Sequence, residues 1–163
     1  MSTFFEPGAS AAAAHDHDAC LARSLAAAER LCSERGLRLT PQRRRVLEVV
    51  AGRHAAVGAY EIIDAIAAHG PRPAPVSVYR ALDFLLAQGL VHRVDSLSAF
   101  VLCASPGSKH RAQFLICQRC RDIAELRAEA VEAAIAGGAA AVGFQVSWAV
   151  VEVFGTCRAC SGG

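Results

Sequence analysis

The sequence predicts an α+β protein of two units. The first is helical and closed by a β-hairpin; the second is a smaller strand–helix–strand unit tied at both ends by cysteines. Three observations carry this. Cys117-Gln-Arg-Cys120 and Cys157-Arg-Ala-Cys160 are two Cys-x-x-Cys pairs, thirty-six residues apart. Residues 20–89 alternate apolar helical stripes with glycine and proline stops, and residues 90–103 hold two short β-type runs. Two residues between cysteines let one tight turn aim both sulfurs at a point, and two such turns make a closed tetrahedral thiolate cage, the usual structural zinc site. One pair alone would equally suit a redox dithiol.

Residues 1–19, rich in Ala, Asp and His without periodicity, are expected to form a mobile tail. His15-Asp-His17 within it has ligand types for loose metal binding, against the plainer alternative of a solvated tail. From Cys20 to Arg35, the residues Leu21, Leu25, Ala28, Leu31 and Cys32 form a helical stripe that Gly36 ends. Cys20 and Cys32 have no Cys-x-x-Cys partner and read as small core residues. Thr40-Pro41 is an N-cap with a first-turn proline, opening a helix through Val46, Leu47 and Val50 to Gly52. A third helix, about Ala59 to His69, stops at Gly70-Pro71, and Pro71-Arg-Pro-Ala-Pro75 is a stiff extended connector. Ser77 then reads as the cap of a fourth helix ending at Gly89.

On that fourth helix Val78, Leu82, Leu85 and Leu86 share one side. Arg80 lies roughly 200° round from Val78, at about 100° per residue, so it points away from the core. Leu90–Val94 and Ala99–Cys103, separated by Asp95-Ser-Leu-Ser98, make a hairpin. Helices followed by a hairpin predict a winged helix, and an outward Arg near the start of its last helix suits a helix-turn-helix reading head. The alternative is a small helical core with Arg80 merely solvated.

Ser105-Pro-Gly-Ser108 is a polar hinge, and Gln113–Cys117 a short strand into the first cysteine pair. Glu125 to Ala136 reads as an Ala-rich helix ended by Gly137-Gly138, and Phe144–Phe154 as a β-rich run into the second pair. A sheet this short leaves an edge that invites a second copy of the chain. The expected division is a tail over 1–19, a winged-helix DNA-binding domain over 20–103, a hinge over 104–111 and a small α/β dimerisation domain with the four-cysteine site over 112–163.

Charge narrows the partners. Residues 20–95 hold eleven arginines against seven acids, whereas residues 1–19 hold three acids and no base. The middle segment is therefore basic, as a nucleic-acid face requires. No apolar run approaches the roughly 18 residues of a membrane span, and the start lacks the basic region of a secretory signal. Seven cysteines, mostly at metal-type spacing, suit a reducing compartment, so a cytoplasmic protein with no membrane partner is expected.

Four further ligand types stand near the domain junction: His92, Cys103, His110 and Glu125. Two imidazoles, a thiolate and a carboxylate would make a mixed tetrahedral site, and a thiolate favours zinc over iron or manganese. Singly, each has a plainer explanation: His92 a wing surface residue, Cys103 a strand core residue, Glu125 a charge helped by a helix N-terminus.

Leu39-Thr-Pro-Gln-Arg43, Val78-Tyr-Arg-Ala-Leu82 with Asp83-Phe-Leu-Leu86, Val91-His92, Val101-Leu-Cys103 and Cys117-x-x-Cys120, in that order, resemble the ferric-uptake-regulator family, within it the zinc uptake regulators. The resemblance spans about residues 20–160. It implies a homodimeric repressor that binds double-stranded operator DNA when loaded with metal, with two zinc ions per subunit and no small-molecule substrate besides zinc. Cys117, Cys120, Cys157 and Cys160 match the family's structural zinc ligands, and His92, Cys103, His110 and Glu125 the sensing ligands. Tyr60 and Arg80 match base-contacting positions, Ser77 and Tyr79 lie near phosphates, and Arg43 is a further phosphate candidate. Many relatives carry a His- and Asp-rich run before the first cysteine pair. Here Lys109-His110-Arg-Ala-Gln113 offers one ligand, which points to a single sensing site. The alternatives are an iron or peroxide sensor of the same family, disfavoured by Cys103, and a zinc enzyme, which needs an open metal position and a pocket.

Overall fold

The computed structural model describes residues 17–53, 55–107 and 111–162. The first half is built on four helices. Helix α1 (His17–Glu34) starts inside the expected tail and turns Leu25, Ala28 and Cys32 inward. Gly36, at φ +64, lets the chain leave it in the left-handed conformation that favours glycine. Helix α2 (Pro41–Ala51) begins where Thr40-Pro41 predicts: the Thr40 hydroxyl accepts from the Arg43 N–H, and Pro41 fills the first turn, where a missing N–H costs nothing.

A two-residue strand, β1 (Val57–Gly58), leads into α3 (Ala59–Ala67), and the proline connector leads into α4 (Pro75–Ala87). The start of α4 differs from expectation. Ala74 holds the cap position and Pro75 the first turn, while the Ser77 hydroxyl donates to the Ala74 carbonyl at 2.7 Å. A proline preset at helical φ and lacking an N–H suits that first position better than a serine two residues on. Val46, Leu47, Ile62, Ile63, Leu82 and Leu85 are wholly buried where α2, α3 and α4 meet. Each such side chain contributes about 1.5–3 kcal/mol by leaving water.

The hairpin follows as β2 (Val91–Val94), a 3-10 turn (Asp95–Leu97) and β3 (Ala99–Leu102), with Ser98 reversing the chain at φ 48. Strand β1 adds to the outer side of β3, giving the order β1-β3-β2. Two residues are too few to leave a period in the sequence, so this third strand was not legible there.

The second unit comprises β4 (Gln113–Cys117), β5 (Ile123–Leu126), α5 (Glu129–Ala141), β6 (Val151–Gly155) and a final turn α6 (Arg158–Ser161). Its sheet runs β5-β4-β6, with β5 antiparallel and β6 parallel to β4. Two expectations are corrected. Glu125 lies in a strand and not at a helix start, because the turn through Cys120 folds the chain straight back along β4, Ile123 opposite Ile116 and Leu126 opposite Gln113. Helix α5 begins four residues later and continues through Gly137 and Gly138, ending before Gly143 at φ +70. Interior glycines cost about 0.5–1 kcal/mol each relative to alanine, a penalty that an otherwise alanine-rich helix absorbs. The β-rich run contributes only Val151–Gly155 as strand; residues 144–150 form the connection, leaving Phe144 and Trp148 66% and 76% exposed.

The two units meet along the hairpin. Val94 and Val101 pack with Phe114 and Ile116 of β4, and Ala55 bridges Asp122. Among the described residues no helix is long and apolar enough to cross a membrane.

Candidate metal centres and nucleic-acid interface

Because β4 and β6 run parallel, with Cys117 opposite Gly155, the two cysteine pairs leave the sheet at the same end. The turn after β4 supplies Cys120, and the turn α6 after β6 supplies Cys157 and Cys160. The four sulfurs lie within 4.8 Å of one another, Cys120 and Cys157 at 3.6 Å. Thiolates bound to one zinc at about 2.3 Å would sit about 3.8 Å apart, so the donor set fits that ion in both type and spacing. The N–H groups of Cys120 and Cys157 hold the Cys117 thiol down at about 6. At Cys120 the Asp122 N–H also draws the value down, but the neighbouring thiols and burial outweigh it and push it up to about 12. The cluster thus favours one thiolate and resists the next, as four crowded sulfurs must until a cation balances them.

The second cluster is drawn from both units. His92 lies on β2, Cys103 follows β3, and Glu125 lies on β5; one ligand atom of each falls within 4.8 Å of the others. Glu125 Oε2 stands 3.7 Å from His92 Nε2 and accepts the Ala104 N–H at 3.0 Å. The His92 ring also meets Phe114 edge-on, centroids 5.9 Å apart. Cys103 is 2% exposed, and burial pushes its thiol up to about 11, with the Ser105 N–H opposing and the Glu125 charge adding to the rise. An imidazole, a thiol and a carboxylate suit zinc. His110, the fourth predicted ligand, lies outside the described residues.

On the outer side of the first unit, Tyr60 in the first turn of α3 is 66% exposed, and Tyr79 and Arg80 project from the first half of α4. Arg43 is placed otherwise: its guanidinium stacks 3.5 Å from the Phe84 ring centroid and donates to the Arg38 carbonyl at 2.7 Å, bracing α2 against α4. That occupies a face and a donor of the side chain expected to meet phosphate.

Two residues that sequence reasoning did not single out belong to this junction. Phe114 sits between the clusters' two units, and Glu152 accepts the Asp95 and Ser96 N–H groups at 2.6 and 3.1 Å. The one available signal was Glu152 itself, a lone charge inside Val150-Val-Glu-Val-Phe154.

The architecture is thus a winged helix docked through its hairpin on a sheet whose strand ends are gathered by four cysteines. Residues 34–154 match the model of the ferric uptake regulator family, and this chain belongs to that family. It is 42% identical over 137 residues to the zinc uptake regulation protein of Escherichia coli (strain K12), covering 83% of this chain and 80% of that protein. Among solved structures it resembles a zinc uptake regulator complexed with zinc and DNA, at 40% identity and TM-score 0.81, over 87% of this chain and 95% of the other. It also resembles holo XcZur, at 44% identity and TM-score 0.77 over 85% and 97% of the two chains. Against apo XcZur the score falls to 0.53 at 42% identity, over 88% and 99%. At similar identity this chain therefore superposes more closely on the holo than on the apo structure.

Proposed function

We propose that this chain is a zinc-responsive DNA-binding repressor of zinc uptake genes, working as a cytoplasmic homodimer. The observation that carries it is the His92–Cys103–Glu125 cluster, which takes ligands from both units; the higher TM-score against the holo than against the apo structure supports the same reading. Cys117, Cys120, Cys157 and Cys160 are the structural zinc ligands, and His92, Cys103, Glu125 and His110 the sensing set, two zinc ions per chain.

Zinc bound at the junction supplies a compact positive centre that neutralises Cys103 and Glu125. The chain's own residues do the rest. His92 and Cys103 belong to the wing, Glu125 to the second sheet, so any ligand set including all three fixes the angle between reading head and dimer domain. Without that tie the two units would sample several relative orientations, of which one presents both heads of a dimer to successive major grooves. Coupling of about 1–3 kcal/mol, usual for allostery, changes operator affinity about 5–150-fold. Arg80 and Tyr60 face the bases, with Ser77 and Tyr79 toward phosphates; Arg43 keeps free donors for a phosphate only beside its bracing role. Val142, Phe144 and Trp148 are each exposed apolar side chains that a second subunit would cover. The relatives that carry this reading are regulators, one of them solved with zinc and DNA.

The test is binding to an operator-like duplex in buffered zinc and in chelator, with metal content measured alongside. Affinity that ignores zinc refutes the proposal.

A further inference from the structure

Phe114 pairs with Glu125 on one side and with Glu152 on the other. Directly paired residues on neighbouring strands share a sheet face, so Glu125, Phe114 and Glu152 form one row, and the hairpin lies along it. Glu125 meets the His92 and Cys103 end, Phe114 packs under His92, and Glu152 takes the far turn. Its two oxygens are divided, Oε1 accepting the Asp95 N–H at 2.6 Å and Oε2 the Ser96 N–H at 3.1 Å, across 57 and 56 residues of chain. These donors open the 3-10 turn of the wing and have no carbonyl behind them within the turn. Glu152 is also the one charged residue of β6, on a strand whose other side chains are apolar or glycine.

We propose that Glu152 is a positioning residue, a latch that holds the wing turn on the second sheet and thereby sets how much zinc is needed to keep the DNA-binding arrangement. The proposal rests on the zinc-responsive reading above. Zinc at one end of the row and the Glu152 carboxylate at the other bias the same closure equilibrium. Losing the latch therefore makes zinc supply more of the bias, and the zinc midpoint rises. Charge-assisted hydrogen bonds of this kind are worth roughly a factor of ten or more each when dry; solvent reaches this pair, so the combined effect is about 5- to 10-fold.

The test uses the full chain with Glu152→Ala and Glu152→Gln, titrating zinc in a metal buffer against a fluorescent operator-like duplex. X-ray scattering of the DNA-free dimer after mild chelation runs beside it. The zinc concentration for half-maximal binding should rise about 5- to 10-fold for Glu152→Ala. Glu152→Gln, which keeps one acceptor oxygen, should fall between that and wild type. Tightly held zinc and dimer mass should stay as in wild type and the melting temperature should fall by no more than about 2–5 °C, while the chelated variants should scatter as a more open particle. Both variants remove the same negative charge from the row that holds Glu125, so a midpoint raised equally in Glu152→Gln and Glu152→Ala is a charge effect and overturns the latch. An unchanged or lower midpoint overturns the latch, as does a loss of equal size at every zinc level accompanied by a larger fall in melting temperature. A wild type blind to zinc refutes the functional reading instead. In that case the scattering comparison decides the latch, and identical profiles overturn it.

Discussion

Replacing Cys103 by Ser separates the sensing site from the fold. The side chain is 2% exposed at the end of the wing, so the oxygen must be accommodated where the sulfur was. It is smaller, and the Ser105 N–H that draws the thiol pKa down is there to meet it. A buried hydroxyl with one partner costs under about 2 kcal/mol, a fall in melting temperature of about 4–8 °C for a chain of this size. The fold and the four-cysteine cluster therefore survive. Metal-linked DNA binding does not, because the only thiol of the junction cluster is gone. Operator affinity in excess zinc should drop to the value in chelator, a loss of about 5–150-fold. The pH dependence carries the same information. The Cys103 thiol, pushed up to about 11 by burial, is protonated at neutral pH and must lose that proton to ligate. Zinc affinity at this site should therefore climb with pH from about 7 upward, approaching tenfold per unit, and flatten in Cys103→Ser. Fluorescence anisotropy against buffered zinc at two pH values reads both. A variant that keeps the full zinc-dependent gain would show that Cys103 is a core residue and nothing more.

Cys157→Ser should yield monomeric or insoluble protein, because the thiol cage closes the ends of β4 and β6 and metal binding is linked to folding there; a stable zinc-free dimer in sedimentation refutes this. Phe114→Ala removes a buried ring from the small cluster joining the units, at a cost of about 3–5 kcal/mol, and should speed proteolysis at residues 104–107; unchanged cleavage counts against the junction. Arg80→Ala should lose about 1–3 kcal/mol of discrimination between operator and scrambled duplex per site with zinc content normal, whereas equal weakening on both makes Arg80 a phosphate contact. Arg43→Ala should lower the melting temperature as well as DNA affinity, since it braces Phe84; a change in salt dependence alone restores the pure phosphate role.

The helical half was legible because its signals are local. Thr40-Pro41, Gly36 and the spacing of Val78, Leu82 and Leu85 act within a few residues of themselves, and helix starts and buried faces follow from them. Even there Pro75 outcompeted Ser77, two local signals of which the sequence alone could not rank the stronger. The second unit was legible where cysteine spacing spoke and misread where pairing decided. Ile123–Leu126 became a strand because β4 was there to bond it, and Phe144–Val150 stayed out of the sheet although its composition is equally β-prone.

The sequence by itself determined the ligand types, the two Cys-x-x-Cys turns and the outward direction of Arg80, because each depends on residue identity at short range. Only the tertiary structure decided that His92, Cys103 and Glu125 converge, that Arg43 lies on Phe84 and that Glu152 grips the wing turn. Those contacts join residues 11 to 57 positions apart. They are set by strand register and the docking angle of two units, quantities to which no single stretch of chain is sensitive.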